Sequence, residues 1–165
     1  MLRVGIVGKS RSQDYISAIN QIEALKFQGV FDPSFQFETP KYINSEFVYY
    51  SFSSLAQVVD ALIFSSAEKI YLPLIELALK SSKPVFLHGV YNLSIQEQKG
   101  ILKLQDESCE LVQVNQPLLF NPKYKEHLEA MANPVLWQLS FADKEETNLL
   151  IRLRSMIAAT LPNFK

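Results

Sequence analysis

One short stretch concentrates groups that could hold a phosphate. An apolar run, Leu2 to Val7, ends at Gly8, and Lys9, Ser10, Arg11, Ser12 and Gln13 follow. Glycine at the first place permits a tight turn, and two cations and two hydroxyls come directly after it. Backbone N–H groups in such a turn, with the positive end of a following helix, attract a pyrophosphate. Loops of this kind commonly carry three glycines: for the turn, for close backbone contact and for helix–strand packing. Here Ser10 holds the second place and Gln13 the third. A Cβ at Ser10 obstructs close approach, and Gln13 pushes the helix away from the strand. Two readings stand side by side. Gly8, Lys9, Ser10, Arg11 and Ser12 form an altered phosphate-binding loop, or they form a turn with solvated charges.

Two further positions carry chemistry. Asp32 lies twenty-four residues after Gly8, where an acidic residue at the end of a second strand can hydrogen-bond a ribose 2′-hydroxyl. That carboxylate would repel a 2′-phosphate and favour NAD over NADP, with Lys9 or Arg11 offsetting part of the repulsion. The competing reading is a turn Asp before Pro33. His88 follows a short apolar run, Pro84 to Leu87, so it falls at the end of a strand. An imidazole there can do acid/base work near neutral pH; without a visible partner it can equally be structural. His127 stands between Glu126 and Glu129 on a polar helix face. The two histidines have no metal-ligand spacing, so no metal site is expected. Cys109 is the single cysteine, which excludes an internal disulfide and reads as a small apolar residue near a strand start.

These residues need elements to position them. Leu2–Val7 is apolar on both faces, as a strand covered on both sides must be. A helix should begin at Ser10–Ser12, carry Ile16, Ile19, Ile22 and Leu25 at helical spacing, and end at Gln28–Gly29. A second strand follows at Val30–Asp32 and stops at Pro33. Residues 33–47 read as irregular. Val48–Tyr50 is a short strand, and Ser53–Ser54 cap a helix over 54–60. Ala61–Phe64 is a strand, followed by a helix with Ile70, Leu74, Leu77 and Ala78 on its apolar face. Pro84–Leu87 is a strand. The Ser94–Glu97 spacing is that of a capping box opening a helix to Leu104, and Leu111–Val114 is the sixth strand. Farther on, helices are expected over 122–131 and 144–159, and a strand with one buried face over 135–141. Strands alternating with helices of this length imply an α/β fold: a doubly wound parallel sheet, Rossmann-like, with a short C-terminal strand–helix extension.

The order of these pieces resembles the Gfo/Idh/MocA oxidoreductases. The matching stretches are RVGIVGKS at 3–10, GVFDPS at 29–34, YSFSSLAQVVDALIFSSAEKIYLPLIELALKSSKPVFLHG at 50–89 and LVQVNQPLLFNPKY at 111–124. The resemblance implies a nucleotide-binding domain over 1–120 and a truncated remnant of a second α/β domain over 121–165. It implies NAD or NADP as cofactor and hydride transfer on sugars, polyols or related hydroxy compounds. It places Ser66, followed here by Ala67 and not Pro, at a cofactor-contacting turn, and Asn115 at a polar position near the nicotinamide. Where the family carries a Glu-Lys-Pro element with an acid/base Lys, this chain has His88, Gly89 and Val90. The Gly-x-Ser-Arg turn is also similar to that of CoA-binding Rossmann domains.

Sixteen Lys and Arg against seventeen Asp and Glu give a net charge of −1. No basic field exists to hold nucleic acid or an anionic membrane surface. No apolar stretch approaches membrane-spanning length, so a cytoplasmic protein is expected. The aromatics between 35 and 52 read as cover for a sheet edge or an interface. Pairing of the 135–141 strand across a two-fold axis would give a homodimer. Three functions fit: an oxidoreductase with weakened or lost catalysis, a non-catalytic module for a dinucleotide or other phosphorylated small molecule, or an interaction subunit with an empty cleft.

Overall fold

The computed structural model describes residues 1–37, 41–90 and 92–115. They belong to one compact unit, Met1–Asn115. The elements expected over 122–131, 135–141 and 144–159, and the domain division at 120, lie outside the described residues.

Six parallel strands form one sheet. In chain order they are β1 (Leu2–Val7), β2 (Leu25–Phe31), β3 (Val48–Tyr49), β4 (Ala61–Phe64), β5 (Val85–Leu87) and β6 (Val112–Val114). Their spatial order is β3-β2-β1-β4-β5-β6, so the chain reverses direction across the sheet between β1 and β4. That order is the dinucleotide-fold arrangement, in which the crevice lies outside the carboxyl ends of the strands at the switch point. The expected α/β class and parallel sheet are what the chain adopts.

Four helices cover the sheet: α1 (Ser12–Asn20), α2 (Phe52–Val58), α3 (Leu72–Lys80) and α4 (Ile95–Ser108). Ile19 of α1 joins Val4, Ile6 and Val30 in one core layer. Leu55 of α2, Ile75 and Leu79 of α3 and Ile101 of α4 pack with Leu62, Phe64 and Leu87 in the other. The two layers lie on opposite faces because alternate strand residues point opposite ways.

Several element boundaries differ from the sequence expectation. Helix α1 stops at Asn20, and Leu25 begins β2 by pairing with Leu2. Ile22 is exposed instead of continuing the helical face. Gly29, expected to end the helix, lies inside β2; a Cβ there would come within 2.3 Å of the Tyr49 ring. The glycine is a packing concession to that ring. Helix α2 starts at Phe52, ahead of the serines expected to cap it, because Phe52 is core and meets Phe31 edge-on. Helix α3 starts only at Leu72, with Pro73 in its first turn, and a single 3-10 turn at Lys69–Tyr71 precedes it. It buries Ile75, Ala78 and Leu79, while Ile70 and Leu77 are exposed. The Ser94–Glu97 capping box forms with both reciprocal bonds, and α4 runs four residues past Leu104. Cys109 is exposed and ends α4 in the left-handed conformation at φ 55°, so it is a helix terminator and not a core residue. Residues 33–36 and 45–47 form 3-10 turns within the stretch read as irregular.

Candidate functional site

The sheet's hydrogen-bond ladder runs one residue past the strands and sets the candidate residues in a line. Gly8 N–H donates to the Phe31 carbonyl at 2.8 Å, and Ser65 N–H to the Val7 carbonyl at 2.9 Å. His88 N–H donates to the Phe64 carbonyl at 2.9 Å, and Asn115 N–H to the Leu87 carbonyl at 2.8 Å. The residue after each of β1, β4, β5 and β6 is thereby held at the carboxyl edge by its neighbour strand. Gly8, Asp32, Ser66, His88 and Asn115 all fall on this edge.

On the β2 side, Asp32 is 4% exposed. Its Oδ1 accepts from Ser34 N–H at 2.8 Å and from the Ser34 hydroxyl at 2.6 Å. Its Oδ2 accepts from Lys9 N–H at 2.8 Å and from the Tyr71 hydroxyl at 2.9 Å. A carboxylate offers about four lone-pair positions, and four protein donors take them. Burial pushes this carboxyl up, but the bonds from Ser34, Tyr71 and Lys9 outweigh it and hold Asp32 below its ordinary value. Burial, then the Asp32 carboxylate, pushes the Tyr71 hydroxyl well up, so it stays a donor. Gly8 turns at φ 101° beneath this group, and a Cβ there would lie 2.5 Å from Ser65 Oγ and 3.3 Å from Tyr71 Oη.

The β1–α1 turn divides in two. Lys9, Ser10 and Arg11 are exposed. Arg11 sits at the helix N-cap with φ 53°, and no side chain caps α1. Ser12 is fully buried; its hydroxyl donates to the Lys9 carbonyl at 2.9 Å and lies 2.8 Å from the Tyr42 hydroxyl. The uncapped helix start with two exposed cations fits an anionic group, whereas the Ser12 hydroxyl braces the turn from inside. After β4, Ser66 donates to Glu68 at 2.9 Å. Ser65 Oγ is buried with no partner among the described residues.

The β5–β6 side is organised differently. The Tyr15 hydroxyl, from the first turn of α1, is hydrogen-bonded to His88 Nδ1. The Asn115 amide nitrogen stands 3.4 Å from the same atom. The Tyr15 ring meets His88 edge-on at 5.7 Å and Phe86 at 6.1 Å. Burial, then the Arg11 charge, pulls the His88 imidazole below its ordinary value, against a smaller opposing pull from Asp14. His88 is therefore neutral at neutral pH. Burial raises the Tyr15 hydroxyl, with Asn115 and Arg11 partly offsetting it.

Sequence reasoning missed Tyr15, Tyr42, Ser65 and Tyr71. Tyr71 lies thirty-nine residues from Asp32 and Tyr15 seventy-three from His88, so no local pattern announces either pair. The Asp32–Pro33–Ser34 spacing does announce the Ser34 bonds, since an Asp often caps the turn two residues on.

No family model matches the sequence, and no curated protein matches it. Solved structures do. The WlbA dehydrogenase of Bordetella pertussis, in complex with NADH and UDP-GlcNAcA, superposes with a TM-score of 0.67 at 18% identity, over 79% of this chain and 41% of that one. A Gfo/Idh/MocA family oxidoreductase of Vibrio cholerae gives 0.65 at 18%, over 80% and 44%. The biliverdin reductase of Synechocystis sp. PCC 6803, in complex with biliverdin and NADP+, gives 0.60 at 18%, over 79% and 41%. The chain shares its fold with the Gfo/Idh/MocA oxidoreductases. It spans less than half the length of these three structures. Among the described residues, no helix is long and apolar enough to cross a membrane, and no three His, Cys, Asp or Glu side chains cluster to hold a metal.

Proposed function

We propose that residues 1–115 bind an NAD(P) dinucleotide along the carboxyl edge of the sheet, in an oxidoreductase-like protein whose acid/base group is His88. The observation that carries this reading is the placement of Tyr15, His88 and Asn115 on the same edge as the Gly8 turn, across the β1–β4 switch point. Ser10, Arg11 and the open N-terminus of α1 would hold the pyrophosphate. Ser66 and Asn115 border the remaining length of the edge. When bound, the cofactor supplies the hydride acceptor or donor. The chain's own part is proton handling: neutral His88 would present Nε2 to a substrate oxygen, with the ring held through Nδ1 by Tyr15 and Asn115. Asp32 acts in this reading as a brace for the turn. NADH and NADP+ in the complexes of similar fold support the cofactor class.

A second reading is favoured by His88–Gly89–Val90, which stand where the resembling family carries Glu-Lys-Pro. It is a module that binds the dinucleotide without turnover. In both readings the protein is cytoplasmic and takes no nucleic acid, in keeping with its charge of −1, and it associates as a homodimer.

A thermal-shift titration of the full chain with NAD+, NADP+, NADH, NADPH and CoA tests the shared part. Ligand at 100 times its Kd adds about 2.7 kcal/mol of stability. A rise in melting temperature with at least one dinucleotide is expected. No rise with any of the four rejects both readings and leaves the fold as a scaffold.

A further inference from the structure

We infer that the adenosine end of this site selects a ribose 2′-phosphate, so that NADP(H) is preferred to NAD(H), and that Lys9 is the selecting residue. The inference rests on the dinucleotide reading above.

Selection for NAD at such a site depends on a free carboxylate. The acidic residue at the end of β2 accepts from the ribose 2′-hydroxyl and repels a 2′-phosphate. Asp32 has the right position but no free acceptor. Ser34 supplies two donors, Lys9 N–H a third and the Tyr71 hydroxyl a fourth. With four lone-pair positions taken and 4% of the residue exposed, a ribose hydroxyl finds nothing there to donate to. Arranging all four outward to free the oxygens would leave a buried tyrosine hydroxyl and two backbone N–H groups unpaired, a cost no single ribose contact offsets.

What does face the ligand side is a cation. The Lys9 backbone is bonded to Asp32, so its side chain departs from the end of β2, where the adenosine ribose lies in this fold. That side chain is exposed and has no ion pair or hydrogen bond among the described residues. Arg11, at the N-cap of α1, is left to the pyrophosphate in this reading. The ammonium acts as a point charge toward a phosphate, while a neutral 2′-hydroxyl gains little from it. The two halves of the selection thus agree: the group that would favour NAD is saturated, and a cation suited to NADP has no partner among the described residues.

Calorimetric titration of the full chain separates the possibilities. The probes are NADP+, NAD+, and the fragments 2′,5′-ADP, 3′,5′-ADP and 5′-AMP. NADP+ is expected to bind about tenfold more tightly than NAD+, and 2′,5′-ADP more tightly than 5′-AMP by a similar factor. Lys9→Gln, at an exposed position whose backbone bonds to Asp32 and Ser12 are retained, should abolish both ratios. The ratios should also shrink as salt rises. Equal or tighter binding of NAD+ overturns the inference and leaves the dinucleotide reading standing. A preference for 3′,5′-ADP over 2′,5′-ADP overturns it in favour of a CoA-type ligand. Ratios that survive Lys9→Gln overturn the assignment to Lys9. If no probe binds, the dinucleotide reading itself fails.

Discussion

At the β2 end of the carboxyl edge, one carboxylate receives four hydrogen bonds and is almost wholly enclosed. At the β5–β6 end, one imidazole has two neighbours on a single nitrogen and remains partly open. Both residues follow a strand, and both occupy positions where this fold gathers ligands. The difference lies in what surrounds them. Asp32 has its contacts completed by Ser34, two residues on in the chain, by the Lys9 backbone and by Tyr71, anchored in the core. His88 has only Tyr15 and Asn115, each half-buried, and its second ring nitrogen is not engaged among the described residues. A saturated polar group gives rigidity and a fixed turn; an unsaturated one retains the capacity to exchange a proton.

The comparison can be broken most severely at Asp32. Replacement by alanine strands the Tyr71 hydroxyl and the Lys9 and Ser34 N–H groups, and should cost about 3 kcal/mol in urea unfolding. The wild type should also lose stability in acid with a definite sign. Asp32 titrates below its unfolded value near 3.8, so its contribution is complete above that pH and disappears as pH falls through the lower folded value. Asp32→Asn should flatten that limb. A near-neutral Asp32→Ala would mean the four bonds are not what fixes the turn.

Gly8→Ala comes next. The new Cβ would sit 2.5 Å from Ser65 Oγ at a φ of 101°, so both space and backbone oppose it. A loss of about 2 kcal/mol is expected. The same residue opens a phosphate-binding pattern, and in this chain its glycine is also demanded by Ser65, Tyr71 and its own backbone conformation. A Gly8→Ala/Ser65→Ala double variant should recover part of the loss, since the nearest obstruction is removed. If it recovers none, the backbone conformation is the whole constraint.

These effects show how much of the molecule could be read from its residue types. The parallel sheet was legible because strand and helix periods alternate cleanly from Leu2 to Val114. The α1–β2 junction was not: Ile16, Ile19, Ile22 and Leu25 keep helical spacing across a real boundary, and only the pairing of Leu25 with Leu2 ends the pattern. Gly29 looked like a helix end because nothing local reports the Tyr49 ring that needs its missing side chain. At the site, Gly8, Asp32 and His88 were legible because strand ends mark the carboxyl edge, while Ser66 and Asn115 were pointed to by the family resemblance. Their partners were not, since Tyr15, Tyr42 and Tyr71 are recruited across the fold and no local pattern links them to the strand ends. The turn formed by Asp32, Pro33 and Ser34 was written in three adjacent letters, and the structure uses it together with the distant tyrosine.

The smallest effect expected tests the open end of the edge. His88 should titrate below 6.5 in a two-dimensional imidazole NMR experiment, with its signal assigned by its loss in His88→Gln, since His127 is the one other histidine. Burial is the main cause and the Arg11 charge the second, so Arg11→Gln should raise the value without restoring it to 6.5. The stability linkage follows from the same direction. A histidine depressed on folding contributes fully above its unfolded value near 6.5, and the contribution is lost as pH falls through the folded one. Arg11→Gln should therefore make the protein slightly less sensitive between pH 6.5 and 5, opposite to what removing a salt-bridge partner would do. A His88 that titrates above 6.5 would mean a carboxylate dominates its surroundings. The β5–β6 end would then be a second saturated brace, and the contrast with Asp32 would vanish.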